Sequence, residues 1–563
     1  MTKAEASLPE NLALSRQERL LKLKQENWDL IIIGGGITGA GIFHQACKIG
    51  LNALLLEQKD FAWGSSSRSS KMVHGGLRYI AQGQIKLTKE SVQERQLLIE
   101  NAPGLVSSHS FAMSHYQHQF PGPFIFNQLL NLYDFLAGQK QHHYWPKQHY
   151  PFLAPGLKEQ DSLGGSQFVD AITDDARLVL RLIQEGQALG GLAINYIKVN
   201  ELRIQHQKVI GVLAQETHIT PDHTANLPSY SLSSHAVINA TGPWAETLSK
   251  PFQKEASKTA LKIRPLRGSH LIVHSWRLPV ASVICILHPK DQRPVQVFPW
   301  QNMTVIGTTD VEHNESLENE PRISQAEYDY LLEAIRHQFP QANIRPMDIV
   351  STFSGIRPIV ESQSLIERFG LASLKRKKAP SKEKRDHSIF HNPGFITVAG
   401  GKLTTFRVIA NQVLLTLSKE LNLSPQSCLE LKDKDASFKH NKTHNHLKLA
   451  SPLFERLEGQ YGPFTPHFLA LLEPALMRPF GYSNKITGEI LWALKHEQVM
   501  HLDDLLLRRT RLGNILPKGG LGYLDKIKDL CIKELGWSQD KWQDEVSRYQ
   551  TIWTNHYSLP TKD

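Results

Sequence analysis

Three glycines near the start of the chain have the spacing of a phosphate-binding turn. Gly34, Gly36 and Gly39 form a G-x-G-x-x-G pattern between an apolar run at residues 30–33 and a helical pattern. Glycine permits the tight turn and lets a pyrophosphate approach the backbone, while the helix N-terminus supplies free N–H groups and positive potential. Glu57 follows about 20 residues later, where a carboxylate can bind a ribose hydroxyl pair. The sequence therefore predicts a dinucleotide site.

A second group of residues that could do chemistry follows at 65–80, in the stretch SSSRSSKMVHGGLRYI. It is dense in hydroxyls and glycines and carries Arg68, Lys71, His74 and Arg78. Such a segment can donate hydrogen bonds to phosphates and reach one face of an isoalloxazine ring. The glycine turn alone leaves flavin and nicotinamide cofactors open, and this second segment favours a flavin.

The bulk composition sets outer limits on function. The chain has 563 residues, of which 40% are hydrophobic and 21% charged, and its net charge is +10. That charge favours an anionic surface or substrate without indicating a nucleic-acid binder. The 4 cysteines are far apart, which argues against a zinc site or a disulfide framework and fits a reducing compartment. No apolar run approaches the roughly 20 residues of a membrane-spanning helix, and residues 1–27 are too polar for a secretory signal.

Hydrophobic periodicity places these residues on regular elements. Residues 30–33 and 51–57 are predicted strands, 37–49 is the helix between them, and SRQE at 15–18 is a capping box for an earlier helix. Further elements are predicted as strands at 236–240, 271–273, 295–298 and 303–307, helices at 176–189 and 325–337, and a strand, turn and helix at 394–417. This order indicates an α/β cofactor domain with an inserted antiparallel sheet, followed after a polar linker by a mainly helical region.

Several further motifs occur along the chain. They are TDDARLVL (173–180), NATGPWAE (239–246), RGSHLIV (267–273), IGTTDVE (306–312), SGIRP (354–358), AGGKLTTFR (399–407) and LLRRTRLG (506–513). Together with the glycine turn they closely resemble the FAD-dependent glycerol-3-phosphate dehydrogenases, the aerobic, quinone-linked family. The resemblance covers nearly the whole chain, whereas the wider superfamily of sarcosine and D-amino-acid oxidases shares only the glycine turn and the ATG-type strand end.

The resemblance implies an α/β fold, α+β overall. A glutathione-reductase-type FAD-binding Rossmann domain carries an inserted antiparallel β-sheet substrate domain and ends in a C-terminal helical cap domain. The implied ranges are 1–27 for a polar extension, 28–110, 165–260 and 350–425 for the FAD-binding domain, 111–164 and 261–349 for the substrate-binding or membrane-facing domain, 426–448 for a linker and 449–563 for the helical domain.

For the cofactor, the resemblance implies FAD and four groups of residues that bind it. The ADP half is assigned to Gly34, Gly36, Gly39 and Glu57, the flavin loop to Ser66, Ser69 and Lys71, the far side of the cofactor to Thr241 and Gly242, and the flavin end to Gly401, Leu403 and Thr404. At the flavin end, a helix N-terminus can stabilise negative charge on a reduced ring, as any enzyme that reduces flavin requires.

The resemblance also implies a small dianionic phosphate with a secondary alcohol as substrate. Guanidinium and ammonium groups suit such an ion, and the arginine fork binds phosphate bidentately. The implied ligands are Arg78, Tyr79, Arg357, Arg385 and Lys402. Arg385 is chosen as the second phosphate arginine because RDHSIF leads directly into the strand before AGGKLTT. Arg368 competes for this place, and residues 370–384 between them then form an insertion.

Oxidation of a secondary alcohol requires a base for the hydroxyl proton, and neutral histidine suits that role near pH 7. His270 and His74 occupy the positions that the resemblance implies, and Arg357 joins them as a catalytic residue. His270 is favoured as the base, with His74 close to the flavin, although the sequence does not choose between them.

The implied activity is the oxidation of sn-glycerol 3-phosphate to dihydroxyacetone phosphate, with electrons passed through FAD to a membrane quinone. Such a flavoprotein serves glycerol metabolism and respiratory electron transfer as a monotopic, peripheral membrane protein at the cytoplasmic face of the inner (plasma) membrane. A homodimer is possible. A metal cofactor and a nucleic-acid partner are not expected.

Two segments are candidates for contact with an anionic lipid surface. The basic run at 370–384 is either an exposed loop or a contact for lipid headgroups. Residues 122–138 predict an amphipathic helix that either faces the core or enters one leaflet. Its apolar face is assigned to Phe126, Leu129, Tyr133 and Leu136 and its polar face to Asn127, Asn131 and Asp134.

Three other functions stay open from the sequence. The first is a glycerol-3-phosphate oxidase that returns the electrons to oxygen, and no motif separates it from a dehydrogenase. The second is an FAD-dependent amine or amino-acid oxidoreductase, against which the arginine and lysine set argues. The third is a non-catalytic flavin-bearing membrane or regulatory protein, which the intact histidine and arginine set disfavours.

Overall fold

The computed structural model describes most of the chain. The described residues are 8–25, 27–80, 83–218, 227–252, 261–361, 387–432 and 443–560. The strands are β1 (Trp28–Ile33), β2 (Ala53–Leu56), β3 (Met72–Val73), β4 (Val106–Tyr116), β5 (His143–Pro146), β6 (Ser162–Thr173), β7 (Leu192–Ile194), β8 (Ile197–Gln205), β9 (Lys208–Glu216), β10 (Ser229–Asn239), β11 (Ile263–His274), β12 (Val283–Leu287), β13 (Pro294–Trp300), β14 (Met303–Gly307), β15 (Val311–Glu312), β16 (Ile349–Val360), β17 (His387–Asn392) and β18 (Phe395–Gly400).

The α-helices connect and cover these strands. They are α1 (Glu10–Ala13), α2 (Arg16–Gln25), α3 (Ile37–Lys48), α4 (Leu77–Ile80), α5 (Ile85–Asn101), α6 (Pro123–Ala137), α7 (Asp175–Ala188), α8 (Ala245–Ser249), α9 (Gln325–Gln338), α10 (Phe406–Thr416), α11 (Pro425–Lys432), α12 (Ser451–Tyr461), α13 (Thr465–Leu471), α14 (Thr487–His496), α15 (Leu512–Ile515), α16 (Asp525–Leu535) and α17 (Gln539–His556).

The first sheet carries the glycine turn. Within the described residues it has the strand order β17-β18-β10-β1-β2-β7, with β9 antiparallel on β10 and β8 on β9. The neighbours from β18 to β7 are parallel, and only β17 runs antiparallel at that edge. A parallel strand buried on both faces reads as a continuous apolar run, which explains why β1 has the sequence WDLIII. Leu30 and Ile32 face the cluster that contains α3, α7 and α10, whereas Ile31 and Ile33 pack towards β8 and β9.

The second sheet provides the broad surface that faces the site. Its described strands follow the order β15-β11-β14-β13-β12-β4-β6-β3, with β16 on β11 and β5 on β6. All of these pairs are antiparallel except β4 with β12, so the predicted antiparallel insertion is a mixed sheet at that one pair. Successive residues of β11 lie on opposite faces of the sheet. Leu271 and Val273 pack with α9, whereas Gly268 and His270 lie on the face that borders the cavity described below.

The described residues of the predicted C-terminal helical domain, 449–560, pack against the second sheet. Leu505, Tyr549 and Trp553 join one buried cluster with Ile272 and Phe353 of that sheet. A π-helical turn, Asp504–Arg509, contains the first half of the motif LLRRTRLG (506–513). Arg508 and Arg509 are buried and pair with Asp60 of the first-sheet region at no more than 2.6 Å. Buried arginines of this kind explain why a mainly helical domain carries so basic a motif.

Most of the predicted elements agree with the structure to within a few residues. The strand at 303–307 is reproduced, the helix at 325–337 is α9, and the stretch at 394–417 contains β18 and α10. Ser15 and Glu18 form the expected reciprocal capping bonds. The predicted strand at 271–273 is much too short, because β11 begins at Ile263 and its first half carries arginines, proline and glycine in place of a continuous apolar run.

The predicted amphipathic helix at 122–138 is α6, but its faces differ from the prediction. Phe126 and Tyr133 are buried as expected, whereas Asp134, assigned to the polar face, is buried and binds His142. The exposed side carries Phe124 and Phe135, which are 76% and 80% exposed. The helix is therefore apolar on both its core side and much of its outer side.

Candidate active site

A cavity of about 1090 Å³ opens where the strand ends of the first sheet meet one face of the second sheet. From the first sheet it is lined by Gly34, Glu57 and Ala240, which directly follow β1, β2 and β10. From the second sheet it is lined by His270 and Gln296. Open α/β sheets bind ligands beyond the carboxyl ends of their parallel strands. A cavity at the upper end of the small-molecule range suits a ligand as large as a dinucleotide.

The glycine turn leads from β1 into α3 with no room for side chains at two positions. Gly34 has a φ of +110°, and a Cβ there would lie 2.7 Å from the carbonyl oxygen of Ala240. Gly39 lies in the first turns of α3, where a Cβ would lie 1.9 Å from the carbonyl oxygen of Gly34. Gly36 is the N-cap of the helix. Glycine at 34 and 39 therefore brings the helix N-terminus directly against the strand end.

Glu57 lies beside the turn. Its carboxylate accepts hydrogen bonds from the amides of Gly35 at 2.7 Å and Lys59 at 2.9 Å. Burial raises the pKa of Glu57, and these two amides oppose that rise. The carboxylate borders the cavity and keeps lone pairs for further donors, so it can accept hydrogen bonds from ribose hydroxyls.

Residues 63–71, called the cofactor loop below, run along the cavity next to the turn. The Ser66 hydroxyl accepts a hydrogen bond from the Ile37 amide at 2.9 Å, and Ser69 borders the cavity. The structure differs from the prediction at Lys71, whose side chain does not line the cavity. Its ammonium lies 2.9 Å from the Asp175 carboxylate, and burial lowers the pKa of Lys71 to about 8. Lys71 therefore fixes the loop through Asp175 and not through a contact with the cavity.

Two further turns border the cavity at the ends of β10 and β18. Thr241 and Gly242 follow β10, and Gly242 has a φ of +59°. Gly401 follows β18 with a φ of +95°, and Leu403 and Thr404 then lead into α10. All five line the cavity. The start of α10 therefore presents helix N–H groups to this part of the site.

His270 is the most enclosed of the predicted catalytic residues. Its ring is 2% exposed and stacks on Phe353, with the ring planes 7° apart. Gly307 on β14 leaves space for the ring, since a Cβ there would lie 2.1 Å from it. Burial lowers the pKa of His270 well below its usual value, and the positive charges of Lys71 and Arg357 lower it further. The imidazole is therefore neutral near pH 7 and can accept a proton.

The two ring nitrogens of His270 have different surroundings. Nε2 lies 2.9 Å from the hydroxyl of Ser70, which lines the cavity. Nδ1 is buried and has no hydrogen-bond partner among the described residues. His74 lines the same cavity, and its amide donates to the Thr404 hydroxyl at 3.2 Å. The structure thus brings both predicted histidines to one cavity and gives His270 the more specific environment.

Two arginines share a buried carboxylate at the cavity. Arg357 donates to one oxygen of Asp310 at 3.2 Å, and Arg293 lies 2.9 Å from the other. Asp310 is buried, whereas the side chains of Arg357 and Arg293 are 35% and 28% exposed. All three residues line the cavity. Asp310 therefore aligns two guanidinium groups while their outer edges reach solvent.

Lys402 adds a further cation. Its ammonium lies 3.6 Å from the centroid of the Tyr79 ring, a cation–π geometry that fixes its direction. Arg78 precedes Tyr79 in α4, and its side chain lies outside the described part of the structure. Arg385 and its competitor Arg368 also lie outside the described residues. The choice between them stays a prediction.

Three cavity residues were missed by sequence reasoning. Ser70 and Asp310 lie inside motifs that were recognised, SSSRSSKM and IGTTDVE, but no spacing rule gave them a role. Arg293 lies in KDQRPVQ, and only its contact with Asp310 across the sheet connects it to the site. An arginine just before a predicted strand was the only signal that could have drawn attention to it.

One side of the cavity is apolar. Phe111 and Met113 of β4, Phe168 of β6, and Phe126 and Leu129 of α6 line it. The rings of Phe111 and Phe168 are 5.5 Å apart across the strand pair. This apolar side lies under α6, whose outer surface exposes further aromatic side chains. The cavity therefore combines a polar, cationic part with an apolar part that a small polar substrate does not need.

Comparison with known proteins relates this site to a family. Residues 29–407 match the family described as FAD dependent oxidoreductase, and residues 432–542 match the C-terminal domain of alpha-glycerophosphate oxidase. The chain is 33% identical over 411 residues to the aerobic glycerol-3-phosphate dehydrogenase of Bacillus subtilis (strain 168), covering 71% of this chain and 69% of that protein. It is 30% identical over 544 residues to the protein of the same name from Staphylococcus haemolyticus (strain JCSC1435), covering 93% of each.

The chain belongs to the family of FAD-dependent glycerol-3-phosphate dehydrogenases.

A solved structure shows the same fold for nearly the whole length of this dehydrogenase-family chain. The glycerol-3-phosphate dehydrogenase from Bacillus halodurans, complexed with FAD, aligns with a TM-score of 0.69 and 24% identity over 96% of each chain. This shared fold confirms the predicted fold class. The matches reported above confirm the predicted family and cofactor, and FAD is the cofactor of this protein.

The residues around the cavity fit FAD. The N-terminus of α3 and its glycines suit a pyrophosphate, Glu57 suits ribose hydroxyls, and the start of α10 suits a ring that gains negative charge. Of the predicted cofactor residues, Gly39 and Lys71 do not line the cavity, since Gly39 packs the helix on the turn and Lys71 binds Asp175. The others line it.

Proposed function

We propose that this protein oxidises sn-glycerol 3-phosphate to dihydroxyacetone phosphate and passes the electrons to a membrane quinone. The observation that carries the proposal is the meeting of a neutral, buried histidine with guanidinium and ammonium groups in one cavity beside the FAD site. The names of the relatives from Bacillus subtilis and Staphylococcus haemolyticus support this substrate.

In this proposal the cations bind the phosphate group. Arg357 and Lys402 present positive charge to the cavity, and Arg293 is held beside Arg357 by Asp310. Arginine forks match phosphate oxygens bidentately, and an ammonium acts as a further point charge. With the phosphate held there, the alcohol of a short substrate lies within the same cavity as His270.

His270 then accepts the hydroxyl proton. Its Nε2 borders Ser70 on the cavity wall, whereas Nδ1 is enclosed in protein. The lowered pKa keeps the ring neutral near pH 7, so its lone pair can accept the proton, and it also makes the ring a weaker base than a free imidazole. FAD, when bound, supplies the two-electron acceptor for the carbon centre.

The substrate proposal is tested by anaerobic bleaching of the flavin absorbance. Addition of sn-glycerol 3-phosphate to the purified holoprotein should bleach it, whereas glycerol, glycine and proline should not. Bleaching by an amino acid and not by the phosphate ester would favour an amine or amino-acid oxidoreductase. A flavin-loaded sample that none of these compounds reduces would contradict both.

The quinone proposal rests on the apolar side of the cavity. Phe111, Met113 and Phe168 form a surface suited to a planar hydrophobic ring, and it lies under α6. Exposed aromatic residues on and before that helix, Phe120, Phe124 and Phe135, suit insertion into one leaflet at the cytoplasmic face of the membrane. Among the described residues, no helix is long and apolar enough to cross a bilayer.

Membrane contact is tested by co-sedimentation with vesicles of phosphatidylglycerol and phosphatidylethanolamine. The double variant Phe124→Ser, Phe135→Ser should bind at least about tenfold more weakly, because two large apolar side chains no longer leave water. A double variant at exposed sites away from α6, Leu21→Ser and Met347→Ser, is the matched control. Equal binding by both double variants would argue against α6 as the contact.

A second candidate differs only in the electron acceptor. The match of residues 432–542 to the C-terminal domain of alpha-glycerophosphate oxidase favours oxygen as an alternative. Reduced holoprotein mixed with a soluble quinone or with oxygen in a stopped-flow instrument separates the two. Faster reoxidation by quinone supports the dehydrogenase, and rapid peroxide formation without quinone supports the oxidase.

A further inference from the structure

The cofactor loop is held between the cavity and the C-terminal helical domain. On the cavity side its lining residues are Trp63, Gly64, Ser65, Ser66, Arg68, Ser69 and Ser70. On the other side, Arg511 donates to the carbonyl oxygen of Ser67 at 3.2 Å across 444 residues of sequence. The hydroxyl of Tyr557 accepts a hydrogen bond from Arg68 at 3.1 Å across 489 residues. A loop that borders the FAD site is therefore bound by the last part of the chain.

Asp175, the first residue of α7, connects the loop to Arg511. Its carboxylate accepts hydrogen bonds from the Ser69 amide at 3.0 Å, the Ser69 hydroxyl at 2.7 Å and the Lys71 ammonium at 2.9 Å. The guanidinium of Arg511 pairs with the same carboxylate and lies 2.9 Å from Asp174. Three groups of the loop and one of the C-terminal domain thus share one buried acid.

The charges of this cluster balance inside the protein. Asp174 and Asp175 are negative, Lys71 and Arg511 are positive, and all four side chains are at most 3% exposed. Loss of the Arg511 charge would leave one buried carboxylate without compensation, which is strongly unfavourable. The carboxylate would then either take up a proton or move towards water, and both changes weaken its bonds to the loop residues.

We propose that Arg511 is a positioning residue for the FAD site, and that the C-terminal helical domain retains the cofactor. Through Asp175 and Ser67, Arg511 fixes the cofactor loop in the conformation that borders FAD. Tyr557 adds a second contact through Arg68. The inference goes beyond the proposed oxidation, since it rests on FAD as the cofactor and not on the identity of the substrate.

A matched control is available on α7, the helix that Asp175 begins. Arg177 of α7 pairs with Glu497 of the C-terminal domain at 2.7 Å and is 1% exposed. The contacts described for the Arg177 side chain are with Glu497 and the Tyr461 ring, and none is with the cofactor loop. Arg177→Met therefore breaks an equally buried ion pair between the same two parts of the protein without touching the loop.

The experiment compares FAD retention with stability in the full-length protein. Thermal unfolding of the apoproteins reports the cost of each variant to the fold, and recovery of flavin fluorescence on dilution reports FAD release. Arg511→Met and Arg177→Met should lower the melting temperature of the apoprotein to a similar extent. Arg511→Met should weaken FAD binding about tenfold or more, which is 1.4 kcal/mol, whereas Arg177→Met should change it less than about twofold. Arg511→Lys keeps the positive charge but lacks the guanidinium group, so its FAD affinity should lie between those of Arg511→Met and the wild type.

Tyr557→Phe keeps the proposal testable if Arg511→Met does not fold. It removes one hydroxyl and should speed FAD release about threefold. Equal FAD loss in Arg511→Met and Arg177→Met would overturn the proposal. So would unchanged FAD release in both Arg511→Lys and Tyr557→Phe. Failure of glycerol 3-phosphate to bleach bound FAD would count against the proposed function and leave this inference standing.

Discussion

Replacement of His270 by alanine removes the base that the structure favours. The ring is enclosed by Phe353 and by the space that Gly307 leaves, and its Nε2 borders the cavity. The cations proposed to bind the phosphate are on another strand and a turn, so the substitution leaves Arg357 and Lys402 in place. The variant should therefore lose flavin reduction and retain substrate binding.

The size of the loss follows from the protonation state of the ring. Burial, Lys71 and Arg357 all lower the pKa of His270, so the wild-type base is fully neutral at pH 7. His270→Ala should therefore lose the whole contribution of a general base to the rate of flavin reduction. That contribution is a factor of about 10²–10⁴, or about 2.7–5.5 kcal/mol. The same pKa shift predicts the pH profile. The wild-type rate should stay level as the pH falls through about 6.5, the usual histidine value, and decline only at lower pH.

The assay is anaerobic stopped-flow bleaching of the flavin over a range of glycerol 3-phosphate concentrations and pH values. The limiting rate reports the chemical step, and the half-saturating concentration reports binding. His74→Ala is the control, because His74 lines the same cavity and is the alternative base. It should slow the limiting rate by about tenfold or less, below the range expected for loss of a general base.

Two results would refute this reasoning. The first is a limiting rate in His270→Ala within a few-fold of wild type. The second is a larger loss in His74→Ala than in His270→Ala, which would transfer the role to His74. A wild-type rate that halves near pH 6.5 would contradict the lowered pKa even if His270 proved to be the base.

Three further predictions concern the cofactor turn, the domain contact and the phosphate site. Gly39→Ala places a Cβ 1.9 Å from the Gly34 carbonyl oxygen, so the purified protein should carry little FAD, measured as flavin absorbance per chain. Asp60→Asn removes the carboxylate that Arg508 and Arg509 share, and only Arg508 keeps close carboxylate partners, Asp503 and Asp504. The substitution should lower the free energy of unfolding by about 3–5 kcal/mol in urea titrations. Burial raises the pKa of Asp60, but Arg509 and Arg508 outweigh it and the pKa is lowered. The contribution of Asp60 is therefore present above about pH 4 and is lost as the pH falls through the folded-state pKa, where wild type and variant should converge. Arg357→Met should raise the half-saturating substrate concentration by about tenfold or more, since a charged hydrogen bond contributes about 1.5–3 kcal/mol, and an unchanged value would remove Arg357 from the phosphate site.

The parts of the fold that the sequence predicts are those decided by local pattern. The turn from β1 through Gly34 to α3 was predictable because glycine spacing, an apolar run and a helix start lie within about 20 residues. The helices α7 and α9 were predictable from their periodicity and their capping residues Asp174 and Ser324. Local chemistry fixes these elements, so tertiary contacts add little to the prediction.

The parts that the sequence did not predict depend on contacts between distant residues. Lys71 was assigned to the flavin loop from the family resemblance, and only the fold brings Asp175 to its ammonium. Arg293 pairs at the site with Asp310, a carboxylate in the turn after β14. The LLRRTRLG motif was recognised, but its partner Asp60 is 448 residues away from Arg508. The hydrophobic periodicity around Asp60 and around Arg508 does not predict that the two residues pair.

That separation of 448 residues also has a consequence for biosynthesis. A ribosome adds about 5–20 residues per second, so Asp60 leaves it about 20–90 seconds before Arg508. During this interval Asp60, Asp174 and Asp175 are without their arginine partners, although the first β-strands and the glycine turn have already been made. Until Arg508, Arg509 and Arg511 are made, burial of these acids lacks the arginine charges that compensate it in the folded protein. Stable loading of the cofactor is therefore expected only after the arginines of the C-terminal domain have reached the acids.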